Sequence, residues 1–329
     1  MRTLAAVALG VLAAMAIAAP AVAPHHPDRV FSDAPDAPPT PIRIVSSDGS
    51  LRAPYFRPQR LVSRLERRYE EDAAREIPLV VFQRGHVVTD PGVPGAPFLL
   101  LGADAAGRDV FARVVFGARA SLGIAGIAVI GAVILGVLVG GYAGARGGWT
   151  GAALMRLADV VAVLPAIYVV VTLRAAMPLV LPTSVVVVLL ALLLAVVGAP
   201  WIARGVRAIV LAERRLAYVE AARATGAGEW RVLWRHLLPA TGGFVGRQAT
   251  LLLPSFVLAE ATLSFVGLGL PDTVPSWGTA LREAADVSAL AAFPWILAPA
   301  AAIFVVTLLV NLLIGEEPAA AVGAATRRR

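Results

Sequence analysis

Blocks of about twenty apolar residues recur along this sequence, each long enough to cross the ~30 Å hydrocarbon core of a bilayer at 1.5 Å per residue. Inside a bilayer every backbone N–H and C=O must be bonded internally, which restricts such blocks to helices. Six are legible: Leu4–Ala23, Ser121–Ala143, Leu157–Met177, Leu179–Trp201, Ala249–Leu270 and Phe293–Gly315. Only 16% of the 329 residues are charged and 58% are apolar, whereas a soluble chain carries about 25% charged residues. The expected fold is an all-α integral membrane protein of six transmembrane helices, with a long polar loop after the first.

The first block has two readings. Met1-Arg2, an apolar run and Ala21-Val22-Ala23 fit a retained helix, and they also fit a signal-peptide-like anchor cut after Ala23. Either way the following loop leaves the cytoplasm. Charge on the short loops sets the orientation. The chain start, 144–156, 201–248 and 316–329 carry one, two, eight and three arginines, whereas the short segments opposite keep Arg174 and Arg282. The C-terminus and the 201–248 loop are therefore expected in the cytoplasm, and the N-terminus as well if the first helix is retained; the expected location is the cell inner (plasma) membrane, as a multi-pass protein.

Residues 24–97 form the expected extracytoplasmic region. Pro24–Pro58 reads as an extended linker. Gln59–Glu76 reads as a helix from the spacing of Leu61, Leu65 and Tyr69, stopped by Pro78. Leu79–Phe82 and His86–Thr89 read as two short strands about Arg84-Gly85. Within the spans, Ala132, Gly136, Gly140 and Gly144 repeat every four residues, a small-residue stripe that lets helix backbones approach. Pro165 and Pro254 are expected to kink their helices.

All 29 basic residues are arginine. A phosphate-binding P-loop needs a lysine, so the chain is not expected to bind ATP itself. The net charge of +7 is accounted for by topology rather than nucleic acid. With no cysteine, disulfides and Cys-ligated metals are excluded. His25-His26 precede Pro27 in a flexible segment and His86 is isolated, so no metal site is expected. No histidine lies in a span, and neither His-Glu-x-x-His nor Gly-x-Ser-x-Gly occurs, which leaves an intramembrane enzyme without a catalytic constellation.

The 201–248 loop has its own helical pattern. One helix is expected from Glu213 to Thr225, closed by Gly226 at a position needing positive φ. A second is expected from Glu229 to Leu238, with Trp230, Leu233, Trp234 and Leu237 on one side and Pro239 as its stop. Glu220-Ala221-Ala222 lies on the first, its small side chains suited to a partner's groove.

Glu220-Ala221-Ala222, Gly226, His236 and Leu238-Pro239, at their spacing, resemble the EAA motif of ABC importer permeases, with His236 where isoleucine is common. Leu101-Gly102-Ala103-Asp104 through Gly107-Arg108-Asp109-Val110 and Gly117–Ser121 resemble the lead-in to the second span in the dipeptide/oligopeptide/nickel subfamily. Glu260–Gly269 and Pro275-Ser276-Trp277-Gly278 resemble its fifth span and following loop. Met155–Asp159 and Pro165 add to a likeness covering about 98–315, pointing to the second, DppC/OppC-type permease. Two features depart from it: Asn311-Leu312-Leu313-Ile314-Gly315 leads into Glu316-Glu317-Pro318 and an Ala-rich tail, and the 24–97 region is long.

The resemblance implies a permease domain over 98–315 between the 24–97 loop and a cytoplasmic tail at 316–329. It implies cytoplasmic coupling helices, and half of a translocation path for peptides or similar small solutes. It implies as partners a second permease subunit in a heterodimer, two ATPase subunits that bind the ATP, and an extracytoplasmic solute-binding protein. Glu220, Ala221, Ala222, Gly226, His236, Leu238 and Pro239 become the expected coupling residues, Glu220 bonding backbone or an arginine and His236 a structural hydrogen bonder. Ionisable groups in a span are functional candidates by default. Glu260 is thus expected either to line the path, to pair across to the partner permease, or to be satisfied between helices. Asp159 is expected to cap its helix or pair with Arg156, and is the second candidate for the path. The alternative is an ion-gradient-driven secondary transporter, which needs paired broken helices that the sequence does not display.

Overall fold

The computed structural model describes the chain except for residues 1, 46–49, 84–85, 90–91, 166–167, 170, 173–180 and 315–329. Among the helices of the described residues are α1 (Arg2–Ile17), α2 (Val110–Arg146), α3 (Gly148–Val163), α4 (Thr183–Glu213), α5 (Ala217–Ala224), α6 (Glu229–Val232), α7 (Gly242–Phe265) and α8 (Ala298–Ile314). Four stretches among the described residues are long and apolar enough to cross a membrane: α2, α4, α7 and Pro294–Ile314. α2, at 37 residues, is ~55 Å long and outruns the hydrocarbon core. α1 has 16 residues and stops short of the expected Ala23, with a separate turn at Ala19–Val22. The third expected span breaks at Leu164–Pro165, where α3 has ended, and part of its remainder lies outside the described residues, as do Arg174 and the tail.

The residues pack as two compact units, Met1–Ala6 with Ile124–Glu260 and Thr307–Arg329, and Val7–Gly123 with Ala261–Val306. In the first, the small-residue stripe is a helix contact. A Cβ on Gly136 would stand 2.5 Å from the Ile202 Cβ, and one on Gly144 would stand 2.7 Å from Val210 Cγ1; Gly140 faces the Ala203 backbone. Glycines on α4 in turn receive rings from α7, with Gly198 against Phe256 and Gly205 against Phe244. Two prolines sit inside helices, Pro200 in α4 and Pro254 in α7.

In the second unit, the region expected to be linker and helix is β structure. β1 (Arg43–Val45), β2 (Leu51–Phe56) and β5 (Ile77–Pro78) form an antiparallel sheet in the order β1-β2-β5, while β3 (Gln59–Ser63) pairs with β4 (Arg68–Glu71) and β6 (Val80–Gln83) with β7 (His86–Thr89). The all-α expectation and the Gln59–Glu76 helix are thereby corrected. Leu61 and Tyr69 do share a face, but as cross-strand partners, and Leu65 sits exposed in the turn between them. Arg67 turns the chain at φ +51, and the Tyr69 hydroxyl donates to the Pro35 carbonyl at 2.6 Å. The two short strands form, the first shifted by one residue to Val80–Gln83 and the second at His86–Thr89, while the Arg84-Gly85 turn between them lies outside the described residues.

Nor is Pro24–Pro58 a free linker. Ala34 and Ala37 are buried with Leu99 and Ala103, and Thr40 N–H donates to the Leu99 carbonyl. Phe56 and Phe98 meet at 5.2 Å in a second small core with Ile77 and Ala96. A proline-rich segment has fewer N–H groups to satisfy, and its alanines let it lie flat against its neighbours.

If the α2–α4 seam is fixed by backbone approach, Gly136→Ala should lower the thermal midpoint of the detergent-purified protein by an overpacking cost of ~1–3 kcal/mol. Gly126→Ala, whose added Cβ meets nothing within 4 Å, should leave the midpoint unchanged or raise it.

Candidate functional site

The loop between α4 and α7 is built from helix ends. α5 closes in a Schellman motif: Gly226 at φ +87 donates to the Arg223 carbonyl at 2.9 Å, and Ala227 donates to the Ala222 carbonyl at 3.0 Å. The expected positive φ at Gly226 is therefore present. An alanine there would carry the left-handed cost of about 1–2 kcal/mol. Val219 is fully buried and anchors α5, while Glu220 and Ala221 are exposed and Ala222 is half-buried. The Arg223 guanidinium holds Glu229 with two bonds, Nε to Oε1 at 2.8 Å and Nη2 to Oε2 at 3.1 Å. That bond holds the Glu229 carboxyl below its usual range and raises Arg223.

The helix of the first limb starts later than expected. α4 runs to Glu213, and the chain turns at Arg214–Leu216 before α5 begins. Tyr218 stabilises the turn, its hydroxyl donating to Glu213 Oε2 at 2.6 Å, and Arg214 Nη1 donates to the Gly144 carbonyl at the end of α2 at 3.2 Å. Glu220 is not the bonding carboxylate. Among the described residues its side chain makes no hydrogen bond, and Glu229 holds the arginine instead.

The return limb differs from a plain helix. After α6 the chain adopts a π-turn over Leu233–Leu237 and then a further helical turn, Leu238–Ala240. Pro239 has no N–H to donate to the carbonyl four residues back, and the wider turn absorbs that loss. Pro239 therefore widens the helix rather than ending it. Leu233 and Leu237 are buried, but Trp230 and Trp234 are exposed, so the four do not share a side. Leu238 sits over Gly141 of α2. His236 is half-buried with its ring 6.2 Å from that of Tyr218, an aromatic contact in place of the expected hydrogen bond. Glu220, Ala221, Ala222 and Gly226 thus lie together on one limb, with His236, Leu238 and Pro239 on the other.

Asp159, on α3, is exposed and pairs with Arg204 of α4 at 3.0 Å rather than with Arg156. The helix spacing favoured Arg156, but α3 packs along α4 through Met155, Ala158 and Ala203, which brings Arg204 alongside. Glu260 is wholly buried in α7.

The other motif blocks assemble in the second unit. Asp104 Oδ1 accepts the N–H groups of Ala106 and Arg108, and its Oδ2 takes Arg108 Nε at 2.7 Å. Arg108 reaches Glu283, which also accepts the Ala105 N–H at 3.1 Å. Gly107, at φ +77, lies against the Phe31 carbonyl, where a Cβ has no room. Asp109 caps α2 by accepting the Phe111 N–H at 2.9 Å, and its other oxygen meets His25 at 2.8 Å, both side chains fully buried. Ser276 and Thr279 form a reciprocal capping box, and Trp277 bonds Ser121 and the Val114 carbonyl. Arg282 places Nε and Nη2 on the Ser264 carbonyl at the end of α7, and Gly267 closes that end at φ +87. Sequence reasoning missed His25, dismissed as flexible, and Glu283. Neither had a local signal, since each is fixed by partners far away in the chain: Asp109 for His25, and Ala105 and Arg108 for Glu283.

The family model described as "Binding-protein-dependent transport system inner membrane component" matches residues 132–315. The chain belongs to that family. It is a membrane-embedded transport permease subunit, spanning the bilayer several times. It is 34% identical over 213 residues to the glutathione transport system permease protein GsiD of Pectobacterium atrosepticum, covering 65% of this chain and 68% of that one. It is 35% identical over 194 residues to the oligopeptide permease protein OppC of Bacillus subtilis (59% and 61%), and 36% over 196 residues to the dipeptide permease protein DppC of the same organism (60% and 59%). Among solved structures, the inward-facing MetNI methionine ABC transporter gives a TM-score of 0.46 at 19% identity, over 61% of this chain and 94% of that one.

Burial raises the Glu283 carboxyl above the ordinary glutamate range, with the Asp104 charge adding to it. The folded permease then holds this proton more tightly than the unfolded chain, so stability falls as pH rises from the ordinary glutamate value through the raised one. Thermal midpoints across mildly acidic pH should show that slope, and Glu283→Gln should flatten it.

Proposed function

We propose that this permease forms half of the translocation path of an ATP-driven importer for peptides or similar small solutes. A second, unlike permease would complete the path, two ATPase subunits would bind and hydrolyse ATP, and a solute-binding protein would deliver from the far side. The family is named for dependence on a binding protein, and the relatives are named for glutathione, oligopeptide and dipeptide transport. These solutes share a peptide-like backbone with charged ends. We place six helices across the inner membrane, α1 retained, with both termini and the α5 loop in the cytoplasm, as the arginine distribution favours.

The observation that carries this reading is α5 itself: a two-turn helix exposing Glu220 and Ala221, closed by Gly226 and fastened on both sides to α2. Small exposed side chains let a partner's groove close around it. When the ATPases move together on ATP, α5 moves with them. The Tyr218–Glu213 and Arg214–Gly144 bonds and the Leu238–Gly141 contact then pass the displacement to the ends of α4 and α2. The permease supplies different contacts in its inward- and outward-facing states, which is what any driven shift requires. Glu260 and Asp159 remain our candidates for the path. Glu260 is the stronger, since a buried ionisable side chain in a span is costly to place there and is a functional candidate by default, whereas Asp159 is exposed.

Coexpression of the tagged chain with its gene neighbours and mild solubilisation should yield co-purifying ATPase activity stimulated by binding protein and peptide. Gly226→Pro, which cannot adopt φ +87, should keep basal hydrolysis and lose most of the stimulation. Well-expressed permease with no associated ATPase would overturn the reading.

A further inference from the structure

Four of the six tryptophans lie in the first unit, and all are exposed: Trp149 at 79%, Trp201 at 54%, Trp230 at 67% and Trp234 at 47%. Trp277 and Trp295, in the other unit, each donate an indole N–H to a backbone carbonyl at 2.9 Å. The exposed four need a different explanation.

Contacts set their level along the bundle. On α2 the exposed side chains Ile127, Ile130, Ile134 and Leu138 recur at helical spacing, a stripe suited to acyl chains. The stripe ends at exposed Tyr142, over which Arg146 places its guanidinium 5.8 Å from the ring. Tyrosine beneath arginine is the pattern of a hydrocarbon edge meeting headgroups. Trp201 carries Arg204 in the same way at 5.3 Å. Ala203 packs with Ala143, which places this pair beside Tyr142. Leu233 and Leu238 both approach Gly141, so Trp234, next to Leu233, stands at that edge too.

Trp230 and Trp234 pack edge to face at 5.7 Å, with Arg231 and Arg235 exposed beside them. Among the described residues neither arginine has an ion pair or hydrogen bond. From Trp230 to Ala259 the sequence has no acidic residue, while it carries Arg231, Arg235 and Arg247. The α5 limb presents a separate surface of small side chains. The return limb instead presents two large amphipathic rings and two free cations at the depth of the lipid headgroups.

We propose that the Trp230–Arg231–Trp234–Arg235 face docks on the bilayer, indoles at the headgroup–acyl boundary and guanidiniums on the phosphates of anionic phospholipid. This surface rests only on the chain spanning a membrane, not on the solute or on ATP. It anchors the return limb, so that motion of α5 is delivered against a fixed point rather than lost as rotation of the whole loop.

The test uses the full chain in nanodiscs of phosphatidylcholine with and without phosphatidylglycerol. Because the chain has no cysteine, Trp234→Cys takes a single nitroxide. Its collision rates with oxygen and with a water-soluble nickel chelate should read as lipid interface. Native mass spectrometry of the wild type should show phosphatidylglycerol retained over phosphatidylcholine, and Arg231→Gln with Arg235→Gln should lower that preference roughly five- to thirty-fold. Inorganic phosphate should not compete. A water-exposed label in the lone chain would overturn the proposal, as would an unchanged lipid preference in the double variant. So would a label that becomes shielded only when ATPase subunits are added, which would assign the face to a protein partner. The label remains decisive if the arginine variant does not fold.

Discussion

Lipid tails are as apolar as leucine, so helices in a bilayer gain little by burying hydrophobic surface against one another and associate instead through close van der Waals contact. The seam of α2 and α4 is such a contact. Gly136, Gly140 and Gly144 let Ile202, Ala203 and Val210 reach the α2 backbone, and Ala132 lies on the same stripe. The position of the loop after α4 follows from it. One limb is tied through Arg214 to the Gly144 carbonyl, and the other rests through Leu238 on Gly141, within a turn of each other on α2. A projection held at two points on one helix and continuous with another cannot swing without shifting those helices or breaking the seam.

Helix ends supply the second layer of order. A helix leaves four N–H and four C=O groups unpaired at its ends, and near a membrane few waters are at hand to satisfy them. The family-like blocks are largely devices for this. Asp109 caps α2, Gly226 closes α5, Gly267 and Arg282 close α7, and Ser276 with Thr279 starts the turn after it. Spacing within such blocks follows hydrogen-bond geometry, which gives their regularity a physical cause independent of any solute.

That cause also explains what could be read from residues alone. The long spans, the small-residue stripe and the positive φ of Gly226 depend on local rules of length, side-chain size and chirality. The Gln59–Glu76 hairpin was misjudged because Leu61, Leu65 and Tyr69 fit a helical repeat as well as a cross-strand pair, and only the turn at Arg67 decides between them. Asp159 choosing Arg204 over Arg156, and Glu229 rather than Glu220 holding Arg223, depend on where a neighbouring helix lies. The His25–Asp109 pair, 84 residues apart, had no local signal.

The exclusive use of arginine acquires meaning in the same light. Arg223 grips both oxygens of Glu229, Arg282 places two nitrogens on one carbonyl and a third on Asp272, and Arg204 joins Asp159 while covering the Trp201 ring. Each use needs a planar fork of donors or a flat cation that tolerates partial dehydration. A lysine offers a compact, strongly hydrated point charge and could satisfy one contact of each set. Beside a bilayer, where exposed carbonyls and ring faces are the available partners, arginine converts a positive charge that orients the chain into a clamp that also shapes its loops.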